Sequence, residues 1–219
     1  MIGFNYGDFS AVYKFRPRLS TTGLGGKFAP VGEGESMGSV ISTLGDRLIV
    51  LVGLMGVGKS SVGRRLAGHL ELPFIDADDE IEKAAGCPIS EIFRLYGEPA
   101  FRDGERRVIA RILASGPGIL ATGGGAFMDP DTRAEIAENG ISVWLRADVE
   151  VLYQRTRRRN TRPLLQNGDP RATLERLAAE RYPIYAQADI TIETDGEKLT
   201  ETLDHIVNEL NHHASLSAS

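Results

Sequence analysis

Residues 53–60 read Gly-Leu-Met-Gly-Val-Gly-Lys-Ser, which matches the phosphate-binding P-loop pattern G-x-x-x-x-G-K-[ST]. The preceding stretch, residues 48–52, is apolar and β-branched, which predicts a buried parallel strand. The following stretch places Val62, Leu66 and Leu70 four residues apart, which predicts a helix. Strand, glycine turn and helix is the context in which this motif holds nucleotide phosphates, and it outweighs the alternative of a chance Lys-Ser after a glycine-rich turn.

The glycines of this loop are expected to shape a phosphate cradle. Gly53, Gly56 and Gly58 let the backbone curl so that successive N–H groups face inward, where a helix N-terminus adds partial positive charge. Lys59 is then placed to reach the β- and γ-phosphates, and the Ser60 hydroxyl is placed to bind Mg²⁺. The sequence therefore predicts a site for a nucleotide with magnesium.

Composition narrows the class of protein. The chain has 219 residues, of which 42% are hydrophobic, and this length suits one globular domain plus an appendage. A formal net charge of −5 argues against a general nucleic-acid binder, which needs a basic face. No run of 18 apolar residues occurs, so no membrane span is expected. The single cysteine, Cys87, excludes an internal disulfide and favours a reducing, cytoplasmic compartment.

The chain divides into two parts. Residues 1–45 are rich in glycine and lack a helical period, which predicts a poorly ordered N-terminal extension, although their aromatic residues leave open a role in packing. From residue 46 to residue 219 strands and helices alternate, which predicts an α/β domain with a mostly parallel sheet covered on both faces. The nucleotide is then expected at the carboxyl ends of the strands. Strands are predicted at residues 48–52, 74–76, 118–121, 141–145 and 190–192, and helices at 60–70, 79–85, 89–96, 101–115, 130–139, 148–156, 170–186 and 198–210.

Carboxylates follow the second predicted strand. Asp76 and Asp78 are two residues apart, so in an extended chain they share one face at the edge where the P-loop lies. One of them is expected to hold Mg²⁺ through water and the other to orient an attacking hydroxyl, whereas Asp79 is expected to cap the next helix. The alternative for the pair is helix capping alone.

Two further segments suggest an acceptor site. Arg102 and Glu105 lie three residues apart on one helix face, which fits either a surface ion pair or a guanidinium that Glu105 holds for a substrate carboxylate. Residues 122–125 read Thr-Gly-Gly-Gly after an apolar strand, which predicts a turn whose backbone a ligand can touch. No acidic residue ends that strand, so magnesium is expected to rely on Ser60 and Asp76.

The last segment of interest is basic. Residues 155–168 read Arg-Thr-Arg-Arg-Arg-Asn-Thr-Arg-Pro-Leu-Leu-Gln-Asn-Gly between two predicted helices. Beside a P-loop this run is interpreted as a mobile lid that closes arginines over the transferred phosphoryl group. Arg181, in the stretch Arg-Tyr-Pro-Ile-Tyr, is a second candidate anion binder, and its plainer reading is an ordinary helix-surface arginine.

In order and spacing, these motifs resemble those of the shikimate kinases over about residues 46–210. The resemblance rests on the P-loop together with Asp-Ala-Asp, Glu-x-x-Phe-Arg-x-x-Glu, Gly-Gly-Gly, Arg-Pro-Leu-Leu and Arg-Tyr-Pro-x-Tyr. It implies a P-loop NTPase fold of the nucleoside-monophosphate-kinase type, with a five-stranded parallel sheet flanked by helices and a mobile lid at about residues 156–168. It also implies ATP-dependent phosphorylation of the 3-hydroxyl of shikimate, in chorismate and aromatic amino-acid biosynthesis.

The same resemblance assigns roles to residues. The ATP phosphates would contact Gly56, Val57, Gly58, Lys59, Ser60 and Ser61, with Arg162 of the lid reaching the phosphates and Arg155 lying against adenine. Magnesium would be held by Ser60 and, through water, by Asp76. The substrate would contact Asp78, Arg102, Gly124, Gly125 and Arg181, of which the two arginines clamp its carboxylate. The catalytic residues would be Lys59, Asp78 as candidate base, and Arg162.

Two other functions fit part of the pattern. Gluconate kinase, or another small-metabolite kinase of the same fold, shares the donor half of the site. A non-catalytic nucleotide-binding regulatory domain would need a DNA-binding helix pair in residues 1–45, where no such pattern occurs. The expected partner is a small-molecule substrate, with neither nucleic acid nor membrane, and the expected assembly is a monomer.

Overall fold

A parallel sheet forms the centre of the molecule in the computed structural model, which describes residues 44–157, 169–194 and 198–217. Within these ranges five strands pair, and all the pairings are parallel. The strands are β1 (Leu48–Val52), β2 (Phe74–Asp76), β3 (Gly118–Ala121), β4 (Gly140–Arg146) and β5 (Ile190–Glu193). Their order across the sheet is β2-β3-β1-β4-β5. The predicted α/β class and five-stranded parallel sheet are therefore confirmed.

Seven α-helices accompany these strands in the described part of the chain. They are α1 (Lys59–Leu70), α2 (Ala77–Ala85), α3 (Ile89–Leu113), α4 (Pro130–Asn139), α5 (Val149–Arg157), α6 (Pro170–Tyr185) and α7 (Leu199–Ser217). Helix α1 packs against α7, and α3 packs against α4. The crossover from β1 to β2 runs across the sheet in the opposite direction to the later ones, so right-handed connections put α1 on the other face from α3 and α4.

Strand β1 is fully enclosed. All five of its residues are buried, with β3 on one side and β4 on the other. A strand covered on both faces favours a continuous apolar run, which Leu-Ile-Val-Leu-Val supplies. The loop after β1 therefore emerges at the middle of the sheet, at its carboxyl edge.

Glycine interrupts one long helix. In α3, Gly97 has φ 78° and ψ 173°, which is not a helical conformation, and Pro99 follows. Proline lacks the N–H needed in a helix interior, and a positive φ is easily adopted only by glycine. The predicted pair of helices over residues 89–96 and 101–115 corresponds to the two halves of α3.

Aspartates begin several helices, and one prediction about them is wrong. Asp169 accepts a hydrogen bond from the Arg171 N–H at 2.9 Å, and Asp148 accepts one from the Glu150 N–H at 2.7 Å. Helix α2, however, is capped by Asp76 and not by Asp79, because the strand ends at Asp76 and the helix begins at the next residue. Asp79 instead lies in the first turn of α2, where its negative charge interacts favourably with the positive end of the helix dipole.

Within the described residues, no helix is both long and apolar enough to cross a membrane. Residues 1–43 and 158–168 lie outside the described residues, so the predicted extension and most of the predicted lid are not described further.

Candidate active site

A cleft of about 950 Å³ opens at the carboxyl edge of the sheet. It is bounded by the loop after β1, the start of α2, the second half of α3 and the loop after β3. Every predicted site residue in the described part of the chain lines it: Gly56, Val57, Gly58, Lys59, Ser60, Ser61, Asp76, Asp78, Arg102, Gly124, Gly125, Arg155 and Arg181. Arg162 lies outside the described residues.

The P-loop has the backbone geometry that its glycines suggested. Gly53, Gly56 and Gly58 have φ values of 135°, 87° and 105°, in a region of backbone conformation that residues other than glycine rarely adopt. The Lys59 ammonium donates to the carbonyls of Gly53 at 2.7 Å and Leu54 at 3.1 Å, which folds its side chain over the loop. A phosphate in this loop would meet the N-terminus of α1 and the Lys59 charge together.

Ser60 and Asp76 form a ready pair of oxygen ligands. The Ser60 hydroxyl donates to Asp76 Oδ2 at 2.7 Å, across the gap between α1 and the end of β2. Among the described residues, no group of three His, Cys, Asp or Glu side chains could hold a metal ion. Magnesium in nucleotide sites commonly takes one or two protein oxygens and completes its shell with phosphate and water. A hydroxyl and a carboxylate beside the phosphate loop fit that donor set.

Asp78 reaches the cleft from a helix and not from an extended strand, which corrects the predicted geometry. It stands in the first turn of α2, and its N–H donates to Asp76 Oδ1 at 3.2 Å. The side chain is exposed to the cleft, yet the cleft walls displace water around the carboxyl group. That desolvation raises the pKa of Asp78, the negative charge of Asp76 raises it further, and the Lys59 charge opposes both effects. A carboxylate with a raised pKa is a stronger base.

Arg102 is held by two carboxylates. Its Nη1 donates to Glu105 Oε2 at 2.6 Å, while Nη2 and Nε donate to Glu98 Oε1 at 3.1 and 3.3 Å. The Glu105 side chain is only 3% exposed, whereas that of Glu98 is 64% exposed. The Arg102–Glu105 ion pair is thus partly buried, and it is not the solvated surface ion pair that the sequence also allowed.

Glycine lets the loop after β3 pass close to the charged ends of these side chains. A Cβ at Gly123 would lie 2.7 Å from Glu105 Oε1 and 3.0 Å from Asp78 Oδ1, and a Cβ at Gly125 would lie 2.5 Å from Arg102 Nη1. The backbone of residues 122–125, which is called the glycine loop or acceptor loop below, therefore packs directly against the side chains of Asp78, Glu105 and Arg102. This close approach is possible because glycine has no side chain.

The acceptor loop also contacts the phosphate-binding loop after β1. A Cβ at Gly124 would lie 3.5 Å from the Met55 N atom, and the Gly124 carbonyl accepts from Arg181 Nη1 at 2.7 Å. Phosphate loop, glycine loop and Arg181 therefore form one continuous wall. An acceptor hydroxyl on that wall would lie beside the phosphate cradle.

A family comparison decides the class of protein. The family model described as shikimate kinase matches residues 55–211. The chain belongs to the shikimate kinase family.

Relatives of this family cover most of the chain. A shikimate kinase of Nitrobacter winogradskyi is 60% identical over 154 residues, which are 70% of this chain and 72% of that protein. The solved structure of a shikimate kinase from Acinetobacter baumannii in complex with shikimate has a TM-score of 0.73 and 38% identity, and the match covers 77% of this chain and 95% of that one. A gluconokinase from Sinorhizobium meliloti has a TM-score of 0.54 at 20% identity over 79% of this chain and 96% of that one, which shows a shared fold alone.

Arg155 lines the same cleft as the P-loop and is held there by two backbone carbonyls. Its guanidinium donates to the Val57 carbonyl at 3.3 Å and to the Thr194 carbonyl at 2.7 Å. It therefore ties the phosphate loop to the end of β5. The predicted contact with adenine stays a prediction.

No role was assigned from the sequence to three residues that contact the predicted site residues. Glu98 and Tyr185 appeared only as letters of the family motifs, and Thr194 was not singled out. Glu98 had a usable signal, because it lies four residues before Arg102 on the same helix. Tyr185 had the same spacing from Arg181, but its hydroxyl bonds a backbone carbonyl of a distant loop, and no sequence pattern records such a partner.

Proposed function

We propose that this chain transfers the γ-phosphoryl group of ATP to the 3-hydroxyl of shikimate, forming shikimate 3-phosphate and ADP in chorismate and aromatic amino-acid biosynthesis. One observation carries the proposal: the P-loop and the Asp78–Arg102–Arg181 set line the same cleft. The shikimate bound to the relative from Acinetobacter baumannii supports the choice of acceptor. The proposed nucleotide and acceptor therefore meet within one enclosure, as phosphoryl transfer requires.

The donor half binds and neutralises the phosphates. The backbone from Gly56 to Ser61 and the N-terminus of α1 would bind the β-phosphate, and the Lys59 ammonium would turn from the loop carbonyls toward the γ-phosphate. Magnesium held by Ser60 and, through water, by Asp76 would supply charge neutralisation beside these oxygens. In this role Lys59 stabilises charge that develops on the transferred group.

The acceptor half binds a carboxylate and activates a hydroxyl. Arg102 and Arg181 would pair with the shikimate carboxylate, and Glu105 would keep the Arg102 guanidinium oriented while it does so. Asp78 would accept a hydrogen bond from the 3-hydroxyl and take its proton as the oxygen attacks phosphorus. Desolvation by the cleft suits Asp78 to this task, because it raises the basicity of the carboxylate.

Three further assignments belong to the proposal. Residues 156–168 would act as a lid that brings Arg162 to the phosphates and excludes water. Residues 1–45 would form an N-terminal extension to a kinase domain of residues 46–219. Monomeric assembly and a cytoplasmic location stay predictions.

Product identification tests the proposal. The full chain is incubated with ATP, Mg²⁺ and shikimate, and the product is identified by mass spectrometry and by the ³¹P resonance of a phosphate monoester. We expect shikimate 3-phosphate in amounts equal to the ADP released. The Lys59→Ala chain should remain folded and form almost none, because Lys59 supports the transition state and not the core. ADP without phosphorylated shikimate would contradict the proposal.

A further inference from the structure

Tyr185 is a buried residue that contacts the wall of the cleft from the protein interior and that the proposed reaction does not use. It ends α6, is fully buried, and its hydroxyl donates to the Gly124 carbonyl. Arg181, one helical turn earlier, donates to the same oxygen at 2.7 Å. Two side chains of one helix thus hold a single carbonyl of the acceptor loop.

That carbonyl fixes the direction of the next N–H group. A trans peptide is planar, so the Gly124 C=O and the Gly125 N–H point in opposite directions. None of the N–H groups of residues 123–125 donates a hydrogen bond to another described residue, although all three residues line the cleft. With glycine at each position, the loop backbone has many other conformations open to it. A fixed carbonyl is therefore needed if these donors are to keep one orientation.

The tyrosine ring is itself held in place. It stacks between Phe127, whose ring centroid is 6.3 Å away, and Trp144, at 5.8 Å. Burial raises the pKa of Tyr185 to about 12, an effect that the Arg181 charge partly opposes. The hydroxyl therefore stays a hydrogen-bond donor throughout the neutral and mildly alkaline range.

We propose that Tyr185 is a positioning residue for the acceptor: its hydroxyl holds the Gly124–Gly125 peptide so that the glycine-loop N–H groups are preset for the substrate while Arg181 is free to turn toward it. The role rests on the proposed function, in which Arg181 binds the substrate carboxylate. When Arg181 turns toward that carboxylate, Tyr185 keeps the Gly124 oxygen bonded and the loop in place. A single donor shared between loop and substrate would not do both.

A matched control lies on the same helix. Tyr182 also packs against Trp144, with ring centroids 5.2 Å apart, and its hydroxyl also donates to a backbone carbonyl, that of Ala147. Neither tyrosine lines the cleft, but the Ala147 carbonyl lies outside the acceptor loop, whereas the Gly124 carbonyl belongs to it. Tyr182→Phe therefore removes a hydroxyl-to-carbonyl hydrogen bond beside the same tryptophan, at a half-buried position, without touching the acceptor loop.

The test compares the wild-type, Tyr185→Phe and Tyr182→Phe chains by steady-state kinetics and by amide order parameters measured without ligands. Tyr185→Phe should raise the KM for shikimate by about tenfold, the loss expected for one buried hydrogen bond, and leave the KM for ATP within about twofold of wild type. The order parameters of the Gly124 and Gly125 amides should fall from about 0.85 toward about 0.6 in this variant alone. Tyr182→Phe should leave both constants and both amides unchanged.

Three results would overturn the role of Tyr185. They are an unchanged shikimate KM in Tyr185→Phe, an equal rise in Tyr182→Phe, or a Tyr185→Phe chain that does not fold. The last would show that the hydroxyl serves the fold of the chain and not the loop. Because the order parameters need no substrate, they report on the loop even if the wild-type chain does not phosphorylate shikimate, and that failure would count against the proposed function alone.

Discussion

At the scale of single residues, the two carboxylates that bind Arg102 have the same formal charge but differ in burial, and they therefore differ in their effect on the arginine. Glu105 pairs with it from inside the protein, and its pKa is raised by burial despite the nearby guanidinium. Glu98 pairs with it from the exposed rim, where water screens the charges. Glu105 therefore sets the orientation of Arg102, and Glu98 contributes little free energy to it.

Removal of the guanidinium tests the acceptor site. Arg102→Ala should raise the KM for shikimate by roughly a hundredfold, because it removes a charge-assisted pair from an enclosed site. The KM for ATP should stay within about twofold. Steady-state kinetics with each substrate varied measures both constants. Arg106→Ala is the control, because Arg106 lies on the same helix and, among the described residues, pairs with the exposed carboxylates of Asp103 and Asp131. A changed KM for ATP together with an unchanged KM for shikimate would contradict the assignment of Arg102 to the acceptor site.

Asp78 allows chemistry to be separated from binding. Asp78→Asn keeps the size of the side chain but cannot take a proton at neutral pH. We expect kcat to fall by about a hundredfold or more and the KM for shikimate to rise much less, if the carboxylate acts as the base. Rapid-quench measurement of a single turnover reports the chemical step directly. A variant with a normal chemical step and a raised KM would make Asp78 a binding residue only.

The sequence could place a residue in the cleft where its backbone position determines where the side chain lies. Asp76 ends a strand and Lys59 begins the helix after a loop of well-known geometry, so both could be assigned to the cleft, which they line. The partner of Tyr185 is a carbonyl 61 residues away in the chain, and only the packing of α6 against the glycine loop brings them together. Such contacts depend on the tertiary arrangement and not on local spacing.

At the scale of elements, helix α1 contacts the sheet through a glycine. A Cβ at Gly63 would lie 2.5 Å from Phe74 Cε2 and 3.1 Å from Leu51 Cδ1, whereas a Cβ at Gly68 meets nothing within 4 Å. The helix that carries Lys59 and Ser60 therefore lies closer to β1 and β2 than a larger residue at position 63 would allow. Its height above the sheet fixes how far the two side chains reach into the cleft.

These two glycines give a paired prediction. Gly68→Ala should stabilise the fold by about 0.5–1 kcal/mol, since alanine favours an exposed helix position. Gly63→Ala gains the same propensity but overpacks the interface, so it should be less stable than Gly68→Ala by about 1–3 kcal/mol. Urea unfolding monitored by circular dichroism measures both free energies of unfolding. Equal stabilities would show that α1 has room at position 63.

The bounds of most elements followed from the sequence, because apolar periods and turn residues agreed with one another. The start of α2 did not. Three aspartates occur within four residues, and any of them suits an N-cap by type. Asp76 is the N-cap because the pairing of β2 with β3 ends at this residue. The register between two strands is a long-range property, so the sequence near Asp76 does not reveal it.

At the scale of the whole molecule, the described sheet and helices are built from residues 44–217. Leu44 is 2% exposed and belongs to the core, and its carbonyl accepts from the Arg47 N–H at 3.0 Å. The cleft is lined by residues 55–202. The described elements and the described lining of the cleft therefore all come after residue 43, and the predicted division of the chain there stays a prediction.

A shortened chain tests this division. A variant that begins at Thr43 keeps Leu44 and every described element, so we expect its melting temperature to change by less than about 3 °C and its kcat to stay within about twofold. Differential scanning calorimetry and the kinase assay measure the two quantities. A fall of about 10 °C or more would show that the aromatic residues of the extension pack on the domain.

The central claim is that the cleft holds a cyclic hydroxy-acid between two arginines and phosphorylates it. A coupled assay of ADP release, with shikimate and gluconate each varied at saturating ATP and Mg²⁺, tests this most directly. We predict a kcat/KM for shikimate at least about a hundredfold above that for gluconate, because polar groups built for one acceptor are left unpaired by another. Equal use of the two acceptors, or ADP release that shikimate does not increase, would contradict the account.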